Sequence, residues 1–444
     1  MKKRFIAVIT FLAIVLSLGA CQHQLSEEET ILLSHTSDIS GIVIPEGVKV
    51  VGLGESTHGT KEYHTMRKEV FQHLMETYGC RTFILEAAYG SCLKINDYIL
   101  GKSDSTKAGD VLKYLEFWIY HTDEFEDLLQ WMHDYNQQVP EDLKIHFYGM
   151  DMQESVNASD YLLTYLGKVS PAEADKYEKR ISELEKYIAP DRTMSEENMQ
   201  EIRHALELIA ADMEKNKEEY VLNTGSYEYE LALECVEVLE EYLTLLPMMG
   251  VNNQVNDEEI NKQYSILRDQ YMTDRVERIR EMDRADMVFV TAHNMHMARE
   301  VLTNTDASRG QMMGQLLSER WGDAYYAIGT AFCEGDFTAI HYPKGGYNRF
   351  RIKETNPFVQ LFAELPGISW YINLSDLAKE PILSEYLTQR ELIHDIGSMY
   401  SPELETGEEV TEVLTPSHPI VFSDSWDAML IFKKTHATLI RKVY

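Results

Sequence analysis
Glu55 and His58 lie three residues apart in the stretch Val48-Lys49-Val50-Val51-Gly52-Leu53-Gly54-Glu55-Ser56-Thr57-His58-Gly59. An imidazole flanked by a carboxylate is held in one tautomer, the arrangement a general base needs. Glu86 closes the apolar run Phe83-Ile84-Leu85, where an unpaired charge in a dry core would be very costly. Arg67 is grouped with Glu86, because it falls in the second turn of an expected helix, where a cation opposes the dipole. Asp151 follows a third apolar run, and Ala292-His293-Asn294-Met295-His296 follows a fourth. Taken singly these are weak signals: His293 and His296 read equally well as capping or packing residues. Together, four strand ends supply acid, base or imidazole. The same residues, Glu55, His58, Glu86, His293 and His296, could also hold a catalytic divalent metal such as zinc or manganese. His64, His121 and His146 carry no second signal and read as ordinary. The five tryptophans read as core, with Trp118 the one placed near a cleft.

The elements that must position these residues are strands and helices in alternation. The β-branched run at Val48–Val51, ended by glycine, reads as a buried strand, and Thr60 to Tyr78 as a helix closed by Gly79. Further strands are expected at Thr82–Ala87, Lys144–Gly149, Asp286–Val290, Tyr326–Thr330, Trp370–Leu374 and Ala428–Phe432, with Thr122 capping a helix. Residues 36–169 and 284–444 thus form two halves of an α/β core, with a mainly parallel or mixed sheet and helices on both faces. Between them, residues 170–283 are rich in Glu, Lys, Leu and Tyr at helical spacing and read as an all-helical insertion of about four helices. In a parallel sheet the carboxyl ends of the strands converge on one edge. That edge is where the polar residues fall.

The first 20 residues read as an export signal. Lys2, Lys3 and Arg4 precede an apolar run from Phe5 to Leu18, too short for a confident membrane span. Leu18-Gly19-Ala20-Cys21 resembles a bacterial lipobox, which implies acylation of Cys21, a polar tether over residues 21–35, and a place on the outer face of the cell membrane through that lipid alone. The net charge of −32 excludes the basic footprint of a nucleic-acid binder. Cys80 and Cys92 flank a strand of about seven residues, roughly 23 Å long, beyond disulfide reach. They are expected to be free and buried. Nothing points to a protein partner.

Gly52–Gly59 with Arg67 and Leu85-Glu86-Ala87, the block Ala292–His296, Tyr148–Gln153, Met313-Gly314 and Asp427-Ala428 resemble the erythromycin esterase family from about Ile31 onward. The resemblance implies an α/β core with an open cleft and hydrolysis of a small-molecule ester or lactone without a resident cofactor. By that resemblance His58 would be the base that activates water, with Glu55 and Glu86 orienting or charge-stabilising it. Arg67, His293 and His296 would position substrate or stabilise the oxyanion. No G-x-S-x-G elbow is present, which favours direct attack by water. The alternatives are a metal-dependent hydrolase or protease on the same residues, and a tethered solute-binding protein without turnover.

Overall fold
The computed structural model describes residues 25–187, 194–249, 258–302, 311–405 and 416–442. The export signal and Cys21 lie outside the described residues. Twelve strands are described: β1 (Thr36–Ser37), β2 (Val50–Glu55), β3 (Thr82–Ala88), β4 (His146–Asp151), β5 (Val288–His293), β6 (Tyr325–His341), β7 (Tyr347–Lys353), β8 (Ser369–Asn373), β9 (Glu391–His394), β10 (Met399–Tyr400), β11 (Ser417–Ile420) and β12 (Ala428–Thr435). Ten of them form one sheet in the order β1-β8-β12-β6-β2-β5-β3-β4, with β7 and β10 also bonded to β6. Neighbours from β12 through β6, β2, β5 and β3 to β4 are parallel. Antiparallel pairing is confined to β1–β8, β8–β12 and the β6–β7 hairpin in this sheet. The sheet is therefore mixed and mostly parallel.

All six residues of β2 are buried, as befits a parallel strand covered on both faces. The glycines at 52 and 54 do not end this strand, as the apolar run alone suggests; they sit inside it. A Cβ at Gly52 would lie 2.7 Å from the Tyr325 hydroxyl, and one at Gly54 would lie 3.0 Å from Asn294 Cα while overlapping its side chain. Close approach of neighbouring elements, not a turn, requires glycine there.

Helix α1 (Lys61–Tyr78) packs its buried face, including Val70, Phe71 and Leu74, on one side of the sheet and ends at Gly79 with φ +74°. Phe71 meets Phe83 edge-on at 5.1 Å and Phe289 at 5.6 Å. Val51, Leu53, Phe83, Leu85 and Phe289 belong to this core. Alternate residues of the same strands, Val50, Ile84, Val288 and Val290, face a second core on the other side. The helical region supplies that second core from α2 (Pro171–Ile181), α3 (Glu196–Lys215), α4 (Lys217–Thr224), α5 (Ser226–Leu245) and α6 (Glu258–Met282). Leu206, Leu239 and Val276 share the core with the sheet residues, so these helices roof one face of the sheet. Helices α5 and α6 are clamped by ion pairs, buried at Arg275 and half-buried at Arg278: Arg275 Nη1 to Glu234 Oε1 at 2.6 Å, Arg278 Nη2 to Glu241 Oε1 at 3.0 Å, and a further Arg275–Glu241 contact.

Part of the stretch read as a tether is folded. Glu27–Ser34 is a helix with a Ser26/Glu29 capping box and a buried Leu32. Strand β6 runs 17 residues, far beyond the expected Tyr326–Thr330, and its second half extends past the end of β2. Cys80, Cys92, Cys235 and Cys333 are free and buried. Among the described residues no helix is long and apolar enough to cross a membrane.

Candidate active site
The last residues of β2 and β5 are direct register partners: Glu55 lies beside His293. The loop after β2 is pinned on both sides, with Ser56 N donating to Thr330 Oγ1 at 3.0 Å and Ile396 N donating to Ser56 O at 2.7 Å. This holds His58 over the strand end, where its Nδ1 lies 2.8 Å from Glu55 Oε1. A carboxylate accepts only, so Nδ1 carries the proton, and in the neutral imidazole Nε2 is the acceptor. The His58 side chain is 12% exposed, enough for a water molecule to reach it.

Glu55 is held from behind. Arg67, buried in α1, reaches Glu55 Oε2 with Nη2 at 2.5 Å, Thr291 Oγ1 with Nε at 3.1 Å and His64 Nδ1 with Nη1 at 3.0 Å. Arg67 therefore belongs with Glu55, not with Glu86 as its sequence grouping suggests. Burial alone would raise the Glu55 carboxyl, but Arg67 and His58 outweigh it and bring it down to about 2. His64, read from sequence as ordinary, is part of the site. Burial and the neighbouring guanidinium push it down to about 3, so it stays neutral and accepts from Arg67.

Glu86 anchors a second cluster. The register between β3 and β4 shifts between Leu85 and Ala88, a bulge that re-aims the strand end. Glu86 Oε2 accepts from His293 N at 2.9 Å, and its Oε1 accepts from Arg268 Nη2 at 2.8 Å. Arg268 also donates to Asp151 Oδ2 at 2.7 Å through Nη2. His296 stands between Glu86 Oε1, 3.3 Å from its Nε2, and Asp269 Oδ1, 2.7 Å from its Nδ1. Three carboxylates thus enclose two cations. Burial would lower the His296 imidazole, but Asp269 and Glu86 push it up to about 10. Against the same burial cost, His296 and Arg268 hold Glu86 well below the usual carboxylate range. His293 lies between the clusters, its ring centroid 4.9 Å from that of His58 and its Nε2 3.4 Å from Asp395 Oδ1. Burial and His58 push it down to about 3.

The structure brings Glu55, His58, Arg67, Glu86, His293 and His296 to one sheet edge. Sequence reasoning missed Arg268 and Asp269, which adjoin on α6 in a charge-rich stretch that reads as a solvated helix face. A signal was present: Asp269 lies on the stripe Met272, Val276, Ile279, all fully buried. Among the described residues no group of three or more His, Cys, Asp or Glu is placed to hold a metal ion. Each site glutamate already faces a guanidinium.

These charges set a pH dependence. Folded His296 stays protonated to about pH 10, whereas an unfolded histidine titrates near 6.5. Its stabilisation is full below pH 6.5 and is lost as pH rises toward 10. His64 and His293 act in the opposite window. The unfolded chain takes up protons below pH 6.5 that the folded chain refuses until about pH 3, so stability falls on acidification. Melting temperature measured against pH is expected to peak near neutrality, and His296→Gln to flatten the alkaline limb. An alkaline limb unchanged in that variant contradicts the assignment.

The sequence profile of the erythromycin esterase family matches residues 75–435. Erythromycin esterase type II of Escherichia coli is 31% identical over 114 residues, 26% of this chain and 25% of that protein. Matches to curated relatives span 25% and 65% of those proteins' lengths. The fold is similar to a solved succinoglycan biosynthesis protein, with TM-score 0.71, 21% identity and coverage of 95% of this chain and 94% of that one. It is also similar to an erythromycin esterase mutant in its open conformation, with TM-score 0.62, 15% identity and coverage of 95% and 98%.

Proposed function
Since the chain belongs to the erythromycin esterase family, we propose that its site hydrolyses a carboxylic ester or lactone with His58 as the base that activates water. The observation that carries this is the 2.8 Å contact between His58 Nδ1 and Glu55, which leaves Nε2 as the free acceptor. Nε2 takes a proton from water as the water oxygen bonds to the acyl carbon. The tetrahedral intermediate collapses, the bond to the leaving oxygen breaks, and the imidazolium returns its proton to that oxygen. Glu55 stabilises the transient imidazolium, and Arg67 keeps Glu55 ionised and in place. Arg67 is buried and spent on its own partners, so it acts through Glu55. His293, beside His58, is the donor assigned to the oxyanion, and His296 holds Glu86, which in turn fixes the His293 backbone.

Ser56 is no rival nucleophile: it is buried, and its hydroxyl is 2.7 Å from that of Tyr63. The similarity to a succinoglycan biosynthesis protein widens the candidate substrates from macrolides and simple lactones to esters borne on a glycan. We place the chain on the outer face of the membrane, acylated at Cys21. The test is turnover of p-nitrophenyl esters, lactones and macrolides by the purified chain, with intact-mass analysis during the reaction. Turnover without a burst or a mass adduct is expected. A stoichiometric acyl adduct would overturn direct water attack, and no turnover across the panel would overturn the ester reading.

A further inference from the structure
We propose that the open cavity beside the His58 loop is a subsite for an acidic saccharide, so that the ester cut here is borne on an acidic glycan; this rests on the hydrolase reading above. The cavity is about 620 Å³, within the roughly 300–1,000 Å³ of small-molecule sites. Trp118 and Tyr347 line it with ring centroids 5.2 Å apart, tilted by 47°. Tyr347 is 54% exposed and Leu439, also in the wall, 78%. The open face of Tyr347, backed by the buried Trp118, suits the C–H face of a sugar ring, with polar edges left for hydrogen bonds.

The charges favour an anion. Arg349, Arg441 and Lys442 line the cavity, and none of its lining residues is Asp or Glu, in a chain with 73 acidic and 41 basic residues. Two of these cations are already paired with carboxylates outside the lining, and Glu124 accepts from the wall residue Thr438. Arg349 is held by Asp336, and Arg441 by Asp123 at 3.2 Å and by Glu126. This orients the guanidinium groups, whose planar forks match a carboxylate. In a chain that is acidic overall, this lining gathers guanidinium and ammonium groups without a carboxylate among them.

The cavity adjoins the loop that carries His58. Thr338 and Thr438 form part of its wall, and their backbone N–H groups donate to Gly59 O at 2.9 and 3.0 Å. Gly59 follows His58 directly, and a Cβ on it would overlap the Thr338 carbonyl. A ring seated on Trp118 and Tyr347 would sit against the wall that touches the His58 loop. Hydrolysis would break the acyl carbon–oxygen bond, leave the acyl group with the water oxygen, and return a proton to the sugar hydroxyl.

The test is calorimetric titration of full-chain His58→Ala with trigalacturonate, maltotriose and benzoate at low ionic strength, alongside O-acetylated trigalacturonate as substrate for the wild type. Saturable trigalacturonate binding is expected, weakened about tenfold by Arg349→Gln and by Trp118→Leu, with KM for the acetylated trimer raised in both. Arg349 is on the exposed rim, so its variant keeps the test valid if Trp118→Leu fails to fold. No trigalacturonate binding, or maltotriose or benzoate binding as tightly, would overturn the subsite. Binding of the acetylated trimer without its hydrolysis would overturn the acidic-glycan ester as substrate and leave the saccharide subsite standing, while the hydrolase reading falls only if the ester and lactone panel above is not turned over.

Discussion

His58→Ala is expected to lower kcat about 10²–10⁴-fold, the usual contribution of a positioned general base, while the melting temperature moves by only a few degrees. The two effects separate because His58 is a loop residue with one side-chain partner, Glu55, and makes no large contribution to either core. Glu55→Gln provides the control. A neutral amide still fits, but it faces Arg67 at the 2.5 Å position where a carboxylate now stands, and it no longer favours the imidazolium. Its kcat is expected to fall less than that of His58→Ala. Rates measured on whichever ester the wild type turns over decide the matter. Equal rates for wild type and His58→Ala would remove His58 from the mechanism.

Arg268→Met is expected to act on both stability and rate. The guanidinium is shared by Glu86 at 2.8 Å and Asp151 at 2.7 Å, and both carboxylates are buried. Removing one partner of a buried ion pair leaves an uncompensated charge and costs about 3–5 kcal/mol. Glu86 also fixes the His293 backbone N–H, so the imidazole facing His58 would shift with it. Denaturant unfolding should show the loss at neutral pH. Adding Glu86→Gln and Asp151→Asn to Arg268→Met should restore much of the stability without restoring turnover. If the triple variant is no more stable than Arg268→Met, the unpaired-charge explanation fails.

The readable part of this site was the part carried by continuous apolar strands. Residues such as Val50–Leu53 and Phe83–Leu85 are buried on both faces, so a single charged residue at the end of each run stands out. The helix-borne half was obscured for the opposite reason. In α6 most residues are polar, so Arg268 and Asp269 look like solvent-facing charges until their register with Met272 and Val276 is noticed. His64 carries no second signal in the sequence because Arg67, which its ring meets at 3.0 Å, lies one helical turn away on the same helix. Strand β6 reads shorter than it is because Glu334, Asp336 and Thr338 interrupt its apolar run where it extends past β2 and pairs with β7. The helix at Glu27–Ser34 carries one strongly buried leucine, too little periodicity to distinguish it from a linker.

The strand order has a consequence in time. Strand β2, with Glu55 at its end, is flanked in the sheet by β5 and β6, which leave the ribosome more than 200 residues later. At ordinary synthesis rates of about 5–20 residues per second, β2 waits on the order of tens of seconds for a neighbour. Its loop-closure cost is met only when the second half of the chain arrives. A nascent chain in that interval has no central sheet and no assembled site. Activity would begin only once β5 closes against β2 and brings His293 beside Glu55.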